Sequence, residues 1–240
     1  MKLPGVVLVA AQTSRSQAYI QALAAAGLHP EAVVLLGPDP APQTPAPGFA
    51  SVPGLLLPDL GQPVAATCSR AGIPVHRVPA ADVNSDATMV LLRTLEPAMA
   101  IYSGPGGQIV AKRVLEQCRF LHLHSGWLPD YRGSTTLYYA LLNGDPPSVT
   151  ALFLDSSIDT GPVLARRSYP RPPAGLDLDG SYDAAIRADL LVHLMREYLD
   201  KGDLAAAVPQ DHALGSTYYV IHPVLKHLAL LSLAAEREQP

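Results

Sequence analysis

The most informative part of the sequence is residues 120–162, which read FLHLHSGWLPDYRGSTTLYYALLNGDPPSVTALFLDSSIDTGP. The first five residues form a short, largely apolar run between polar turn residues, a pattern typical of a β-strand. Alternate side chains of a strand share one face, so His122 and His124 project the same way, roughly 6.5 Å apart along the chain. A second strand-like run, VTALFLD, precedes a turn that carries Asp159. Two imidazoles and a carboxylate at one sheet edge suit acid/base catalysis and oxyanion stabilisation, although His-x-His also occurs in purely structural roles.

The motifs around these residues resemble one enzyme family. They are LPDYRG at residues 128–133, ALLNGD at 140–145, Val149-Thr150, and IDTGP at 158–162. In this order they resemble the formyltransferases that use 10-formyltetrahydrofolate, whose pattern is Asn-x-His-Pro-Ser-Leu-Leu-Pro, then usually Arg-Gly, and later Asp-x-Gly-Pro. Members act on glycinamide ribonucleotide, methionyl-tRNA or amino sugar nucleotides. The resemblance is dense over these residues and extends loosely to about residue 170.

The resemblance implies a mechanism. An amine attacks the formyl carbon of 10-formyltetrahydrofolate, the co-substrate, and forms a tetrahedral oxyanion. By this resemblance, His124 assists the proton transfers and polarises the formyl oxygen. Asp159 orients the imidazole of His124. A carboxylate beside an imidazole is expected to raise the pKa of the ring. The resemblance also implies a cis peptide bond between Leu128 and Pro129.

The chain departs from the family pattern at the first histidine. His122 stands where the family has Asn, and we predict that it donates to the oxyanion as a neutral tautomer or as an imidazolium. Ser125, Gly126 and Trp127 replace the usual Pro, Ser and Leu. These changes leave three alternatives to formyl transfer: a deformylase that hydrolyses the folate adduct, a non-catalytic folate- or ligand-binding protein, and a metal site formed by the two histidines and Asp159.

Further site residues follow from the same resemblance. Gly107, Gln108 and Ile109 lie in a segment that resembles the Gly-x-Ile-Leu segment of the family, which implies that they bind the folate. Two glycines after a strand also make an ordinary turn. Asp155, the rival of Asp159 for the carboxylate role, is assigned to the co-substrate as well. The candidate contacts of the acceptor are Ser14 and Arg15, for an anionic part of the molecule, together with Arg132 and Tyr138.

The N-terminal half alternates strand and helix patterns. Val6–Ala10 and 32–36 are buried strand-like runs, and Ser14 or Ser16 is positioned to cap a helix that ends before Gly27. This β-α-β order predicts an α/β fold: a Rossmann-like, mostly parallel twisted sheet with helices on both faces. The first turn lacks the glycines of a dinucleotide-binding fingerprint, which argues against a dehydrogenase.

The remaining elements continue this pattern. Strands are predicted at residues 74–78, 99–102 and 163–169, and helices at 63–71, 86–95, 111–118, 135–143 and 181–201, with a surface loop at 38–48. We predict a catalytic domain over residues 1–205. Residues 206–240 are predicted to form an extension, with an edge strand at 217–221 and a helix from Pro223, packed on the domain or at a dimer contact.

Composition limits the partners. The 240 residues are 48% hydrophobic, enough for one sizeable core, and the net charge of −4 without a basic block disfavours nucleic acid. Cys68 and Cys118 lie too far apart in sequence to indicate a disulfide scaffold, and neither a signal peptide nor an 18-residue apolar stretch is recognisable. We expect a cytoplasmic protein without membrane contacts. Few residues follow the long helix, whereas tRNA-specific relatives carry a further barrel, so we expect a small-molecule amine acceptor such as an amino sugar nucleotide, and a possible homodimer.

Overall fold

The computed structural model describes residues 1–38, 52–211 and 213–235. In chain order the elements are β1 (Lys2–Ala11), α1 (Ser14–Ala25), β2 (His29–Leu36), α2 (Val64–Ala71), β3 (Val75–Val78), α3 (Asp86–Leu95), β4 (Met99–Ser103), α4 (Lys112–Leu115), β5 (Arg119–Ser125), β6 (Tyr131–Gly133), α5 (Thr136–Leu142), β7 (Ser148–Phe153), β8 (Val163–Ser168), α6 (Asp183–Lys201), β9 (Ser216–Tyr218) and α7 (Pro223–Ala235). A π-helical turn, Leu178–Tyr182, leads into α6. The predicted loop at 38–48 lies, from residue 39 onward, outside the described residues.

Seven strands form one sheet in the order β3-β2-β1-β4-β5-β7-β8. The pairs from β3 to β5 are parallel, whereas β5–β7 and β7–β8 are antiparallel. The predicted Rossmann-like, mostly parallel α/β fold is therefore confirmed. Because β1, β4 and β5 are parallel, their carboxyl ends lie at one edge of the sheet, where open α/β sheets bind their ligands.

Helices cover both faces of the sheet because the parallel strands are apolar on both sides. Along β1, Leu8 and Ala10 belong to the core beneath α1 and α6, while Val7 and Val9 belong to the core beneath α3 and α4. Successive strand residues point to opposite faces, which explains this division. Among the described helices, none is both long enough and apolar enough to cross a membrane.

The start of α1 differs from the prediction that Ser14 or Ser16 caps it. Thr13 is the N-cap, and its side-chain oxygen accepts a hydrogen bond from the backbone N–H of Ser16. The hydroxyl of Ser16 is instead buried against Ser103, with its oxygen 2.8 Å from both the Ser103 carbonyl and hydroxyl oxygens. This contact fixes the N-terminal turn of α1 to the end of β4.

The C-terminal segment lies against the sheet domain. The predicted edge strand at 217–221 is β9, which is shorter and pairs in parallel with β6 in a separate two-stranded sheet. Helix α7 packs against α5 and buries Ala229 and Leu233. Val208 forms an isolated antiparallel bridge with Val163 of β8. The division at residue 205 stays a prediction, as does the homodimer.

Candidate active site

A cavity of about 490 Å³ opens at the carboxyl ends of β1, β4 and β5. Its walls come from the β4–α4 loop, the end of β5, the β7–β8 loop, the start of α5, α6 and the segment around β9. The predicted site residues that line it are Arg15, Gly107, Gln108, Ile109, His122, His124, Tyr138, Asp155 and Asp159. Side chains separated by up to about 140 positions in the chain therefore meet in one space.

The second histidine and the predicted carboxylate are in contact. His124 Nδ1 lies 3.3 Å from Asp159 Oδ2, and His124 is only 4% exposed. The other ring nitrogen, Nε2, lies 2.6 Å from the carbonyl oxygen of Tyr131. Gly126 permits this approach, because a Cβ at that position would lie 2.9 Å from His124 Nε2 and 2.8 Å from the Tyr131 oxygen. The loop between β5 and β6 contains the expected cis peptide bond between Leu128 and Pro129.

The protonation of His124 is set by two opposing effects. Burial lowers the pKa of the ring, and this effect is larger than the increase caused by the Asp159 carboxylate. The Asp159 carboxylate therefore raises the pKa of the ring, as expected, but the net shift is downward because the pair is almost excluded from water. Both ring nitrogens nevertheless face oxygen acceptors, so a proton that reaches the ring is held by hydrogen bonds on either side.

His122 occupies a different environment on the same strand. It is half-buried, lines the cavity, and its Nδ1 has no hydrogen-bond partner among the described residues. Burial lowers its pKa well below the ordinary value, and the guanidinium groups of Arg15 and Arg187 lower it further. The ring is therefore neutral near pH 7. The structure thus brings one neutral imidazole, whose Nδ1 has no partner among the described residues, beside one imidazole that is paired with a carboxylate.

The loop that carries Asp159 is held by contacts from three directions. Asp159 has a left-handed backbone, φ 54°, and its Oδ2 accepts a hydrogen bond from the N–H of Gly133 at 3.0 Å. Gln210 donates from Nε2 to the carbonyl oxygens of Asp159 and Gly161, at 2.9 and 2.7 Å. The carboxylate of Asp155 accepts hydrogen bonds within its own turn, from the Thr160 hydroxyl and the Ser157 N–H. Asp155 therefore has a clear local role in shaping this loop.

The β4–α4 loop forms the more open wall. Gly107 has φ 74°, and Ile109 is 55% exposed in the cavity. The side chain of Gln108 is bound at the rear of the loop, where Oε1 accepts from the Val83 N–H at 2.9 Å and Nε2 donates to Asp82 at 3.0 Å. The backbone and Ile109 are thus the parts of this segment that a ligand can meet most readily.

We call the part of the lining that consists of Arg15, Tyr102, Asp183 and Arg187 the floor of the cavity. Arg15 donates to the hydroxyl oxygen of Ser103 at 3.3 Å and to the carbonyl oxygen of Gly104. Arg187 pairs with Asp183 at 2.9 Å and donates to the Leu123 carbonyl oxygen at 3.1 Å. Tyr102 is 4% exposed, and burial raises the pKa of its phenol to about 12, so the hydroxyl stays neutral.

A polar cluster borders the cavity near α7. The hydroxyl of Tyr138 donates to Asp179 Oδ1 at 2.7 Å, and the same carboxylate pairs with Lys226. Lys226 also lies over the Tyr138 ring, with Nζ 5.0 Å from the ring centroid. Residues 217–220 complete the rim. The side chain of Tyr138 therefore faces the cavity, as predicted, but its hydroxyl is already bonded.

Two predicted acceptor contacts lie outside the lining. Ser14 is the first residue of α1, and Arg132 is the middle residue of β6; neither lines the cavity. The Nη1 atom of Arg132 is buried without a hydrogen-bond partner among the described residues. The roles assigned to these two residues in acceptor binding remain predictions.

Several lining residues were not predicted from the sequence. Asp183 and Arg187 lie four positions apart on α6, a spacing that places them on one helix face and could have indicated an ion pair. Nothing local marks Tyr102 or residues 217–220, since each reaches the cavity only through the path of the chain.

The two histidines and Asp159 also have the composition of a metal site. Their potential ligand atoms lie within 4.8 Å of one another. The hydrogen bond between Nε2 of His124 and Tyr131 leaves Nδ1, which faces Asp159, as the ring atom that a metal could meet. Two imidazoles and one carboxylate are a donor set that suits zinc or iron, so the metal hypothesis remains a separate, testable one.

Comparison with known proteins gives a consistent family. The protein-family model that is described as "Formyl transferase" matches residues 5–173 of this chain. A methionyl-tRNA formyltransferase from Trichlorobacter lovleyi is 31% identical over 169 residues, which cover 68% of this chain and 50% of that protein. The chain spans about half the length of the curated relatives it matches.

Solved structures of low sequence identity share the fold. A sugar N-formyltransferase from Shewanella sp. superposes with a TM-score of 0.57 at 15% identity, over 95% of this chain and 87% of that one. Glycinamide ribonucleotide transformylase 1 from Symbiobacterium toebii gives 0.58 at 17% identity, over 86% and 93%.

Proposed function

The chain belongs to the formyl transferase family, and from this premise we propose that it transfers a formyl group from 10-formyltetrahydrofolate to the amine of a small-molecule acceptor. The observation that carries the proposal is the buried contact of 3.3 Å between His124 and Asp159, beside His122, in a cavity of about 490 Å³. An ion pair or hydrogen-bonded pair in such a place can move protons without competition from bulk water.

The co-substrate would lie along the β4–α4 loop. Gly107 and Ile109 offer backbone and apolar surface there, while Gln108 and Asp155 keep the flanking loops in shape. Bound in this way, 10-formyltetrahydrofolate supplies the electrophilic formyl carbon. Ile109 and its neighbours Val110, Leu154 and Ile158 make this wall apolar enough to exclude water from the reacting N-formyl group.

His124 and Asp159 would manage the protons of the reaction. The incoming amine must lose a proton and the departing nitrogen must gain one. His124 accepts a proton at Nδ1, where the Asp159 carboxylate stabilises the resulting imidazolium, while the Tyr131 carbonyl oxygen fixes the ring through Nε2. Asp159 cannot turn away readily, because the N–H of Gly133 is bonded to its Oδ2.

His122 would take the place of the family Asn as donor to the developing oxyanion. The ring is neutral, so one nitrogen carries a proton and can donate while the other accepts. Its unpartnered Nδ1 at the cavity means that no protein contact in the described residues competes for that atom. We therefore assign His122 to oxyanion stabilisation and the His124–Asp159 pair to proton transfer.

A small-molecule amine remains the proposed acceptor, with an amino sugar nucleotide or a related intermediate as the expected class. We also retain as proposals the cytoplasmic location, the absence of a nucleic-acid partner, and homodimer formation. The net charge of −4 supports the absence of a nucleic-acid partner.

The test uses 10-formyltetrahydrofolate and a panel of amines, with release of tetrahydrofolate followed by absorbance and formylated product by mass spectrometry. Release that requires an amine, and yields a formylamide, is the expected result. Release without an amine would instead identify a deformylase. Tight binding of the co-substrate without any turnover would identify a binding protein, and either result would overturn formyl transfer.

A further inference from the structure

Helix α7 exposes leucines and valines and holds its charged residue against the domain. The helix, Pro223–Ala235, reads PVLKHLALLSLAA, and Lys226 is its only residue with a formal charge at neutral pH. The Lys226 ammonium pairs with Asp179, and its Nζ lies 5.0 Å from the centroid of the Tyr138 ring. A helix that is apolar all round is normally a buried one. The outward side of α7 therefore has the composition of an interface.

The exposed apolar side chains of the protein are concentrated in this segment. Of the fifteen large hydrophobic residues that are exposed in the described part of the chain, seven lie between residues 219 and 231. These seven form what we call the α7 face: Tyr219, Val220, Val224, Leu225, Leu228, Leu230 and Leu231. Val224, Leu228 and Leu231 follow one another at intervals of four and three residues, so they form a stripe along one side of the helix. Leu230 and Val220 line one groove beside the helix, which makes the face continuous.

The α7 face is large enough for a protein interface. A half-exposed leucine or valine offers on the order of 100 Å² of apolar surface, so the seven residues together offer roughly 700 Å². The largest apolar patch of a monomeric protein ordinarily covers about 300–600 Å², whereas each partner of a stable complex contributes about 800 Å². The α7 face by itself therefore supplies most of the surface that a stable dimer needs.

The chemistry of the face favours a second copy of this chain as the partner. A different protein is selected largely through complementary charges, and the α7 face carries no charge to complement. A two-fold axis pairs the face with itself, which brings leucine against leucine without like charges in contact. A membrane surface fits less well, because interfacial helices carry several Lys or Arg residues that attract anionic lipids, whereas α7 has one paired lysine and the chain has a net charge of −4.

We propose that two copies of this chain associate through their α7 faces, about a two-fold axis near Leu228, the central residue of the stripe. This assigns a surface and a symmetry to the homodimer proposed above, and it does not depend on formyl transfer. Val220 lines both the groove beside α7 and the cavity, and Tyr219 also lines the cavity. The interface therefore adjoins the rim of the cavity in each copy.

The oligomeric state tests the proposal. Sedimentation velocity of the full chain across the micromolar range should show a species of twice the chain mass. Leu228→Glu should raise the dimer dissociation constant at least about 100-fold, because the two-fold axis places two carboxylates at one apolar contact. Glu is a good helix former at an exposed position, so the circular dichroism spectrum of the variant should match that of the wild type. Val90→Glu is the matched control and should associate as the wild type does, since Val90 is 59% exposed on α3 and Leu228 is 47% exposed on α7.

A pair of oppositely charged variants tests the symmetry. Leu228→Lys should be as dissociated as Leu228→Glu when each is measured alone, because like charges then meet across the axis. An equimolar mixture of the two variants should associate again, because a carboxylate then meets an ammonium group. A mixture that stays monomeric would overturn the two-fold contact near Leu228.

Other outcomes would reject the inference as well. A wild-type chain that is monomeric throughout this range overturns it, and a dimer that Leu228→Glu leaves intact places the interface elsewhere. Binding of a monomeric wild type to vesicles of phosphatidylcholine and phosphatidylserine, lost in Leu228→Glu, would assign the face to a membrane surface instead. An α7 dimer that transfers no formyl group to any amine would reject only the proposed function, whereas formyl transfer by a monomeric wild type would reject only this inference.

Discussion

The end of β5 and the floor of the cavity are both buried and polar, yet they are satisfied to different degrees. At the end of β5, His124 has an acceptor at each ring nitrogen, and Asp159 is bonded to the Gly133 N–H. On the floor, Tyr102 and Arg187 each retain a buried polar atom without a partner among the described residues.

The difference separates what folding completes from what it leaves for a ligand. The β7–β8 loop is wrapped around His124 by contacts from β6 and from Gln210, so the pair is set before any substrate arrives. The floor residues come from α1, the end of β4 and α6, and all of them line the cavity. Changes at the end of β5 should therefore reduce catalysis most, and changes on the floor should alter binding.

The largest effect is expected at the satisfied pair. His124→Ala and Asp159→Asn should each lower kcat about 100- to 10,000-fold, because the proton acceptor or its stabilising charge is lost. Asn tolerates the left-handed backbone at position 159, so Asp159→Asn tests charge and not strain. Steady-state kinetics on the best amine measures the loss. A fully active His124→Ala variant would contradict the assignment.

A smaller effect should separate the two histidines. His122→Ala should lower kcat about 100- to 1,000-fold, the usual cost of losing one oxyanion donor. His122→Asn restores the residue type of the family and should keep turnover within about tenfold of wild type, because an amide also donates. The same kinetic assay applies. Equal losses in both variants would mean that an imidazole is specifically required, as in a metal site or a general base.

A contact that supports the backbone of the Asp159 loop should have a moderate effect. Gln210→Ala removes two hydrogen bonds to the loop of Asp159 and should lower kcat/KM roughly tenfold. Its effect should appear in kcat/KM without changing the pH profile, since Gln210 does not titrate. Gln117→Ala, at a half-exposed glutamine away from the cavity, is the control and should be silent. An unaffected Gln210→Ala variant would show that the loop is held without this contact.

The pH dependence of stability should report the burial of His122. Its folded-state pKa lies well below the ordinary value of about 6.5, so the unfolded chain binds a proton that the folded chain rejects. The stabilisation is complete above pH 6.5 and is lost as the pH falls towards the folded pKa, by at most about 1.4 kcal/mol per pH unit. Melting temperatures between pH 7 and 5 should fall less steeply for His122→Asn. If the melting temperatures of the wild type and of His122→Asn fall equally steeply with pH, the ring of His122 is exposed to water in the folded protein.

The smallest expected effect is that of metal removal. If His124 and Asp159 act on protons, dialysis against a chelator should leave turnover unchanged, and elemental analysis should find no stoichiometric zinc or iron. Loss of turnover that returns with one divalent metal would instead assign His122, His124 and Asp159 to a metal centre.

Local patterns were sufficient for much of the fold. The structure contains the predicted first strand, the helix after it and the following strand. These elements could be predicted because side-chain periodicity depends only on near neighbours. The same logic placed His122 and His124 on one face of β5. It failed at the cap of α1, where Thr13 and Ser16 are equally suitable by type and only the packing of Ser16 against Ser103 separates them.

The α/β class and the shared face of the two histidines follow from side-chain periodicity, and the partnership of residues 124 and 159 follows from the family motifs. Folding is needed to establish that burial outweighs the carboxylate in setting the pKa of His124, and that Arg15, Tyr102 and Arg187 line one cavity. It also brought Gln210 to the loop of Asp159, 51 positions away. Periodicity and motif spacing are local properties, whereas solvent exclusion and the meeting of distant side chains depend on the path of the whole chain.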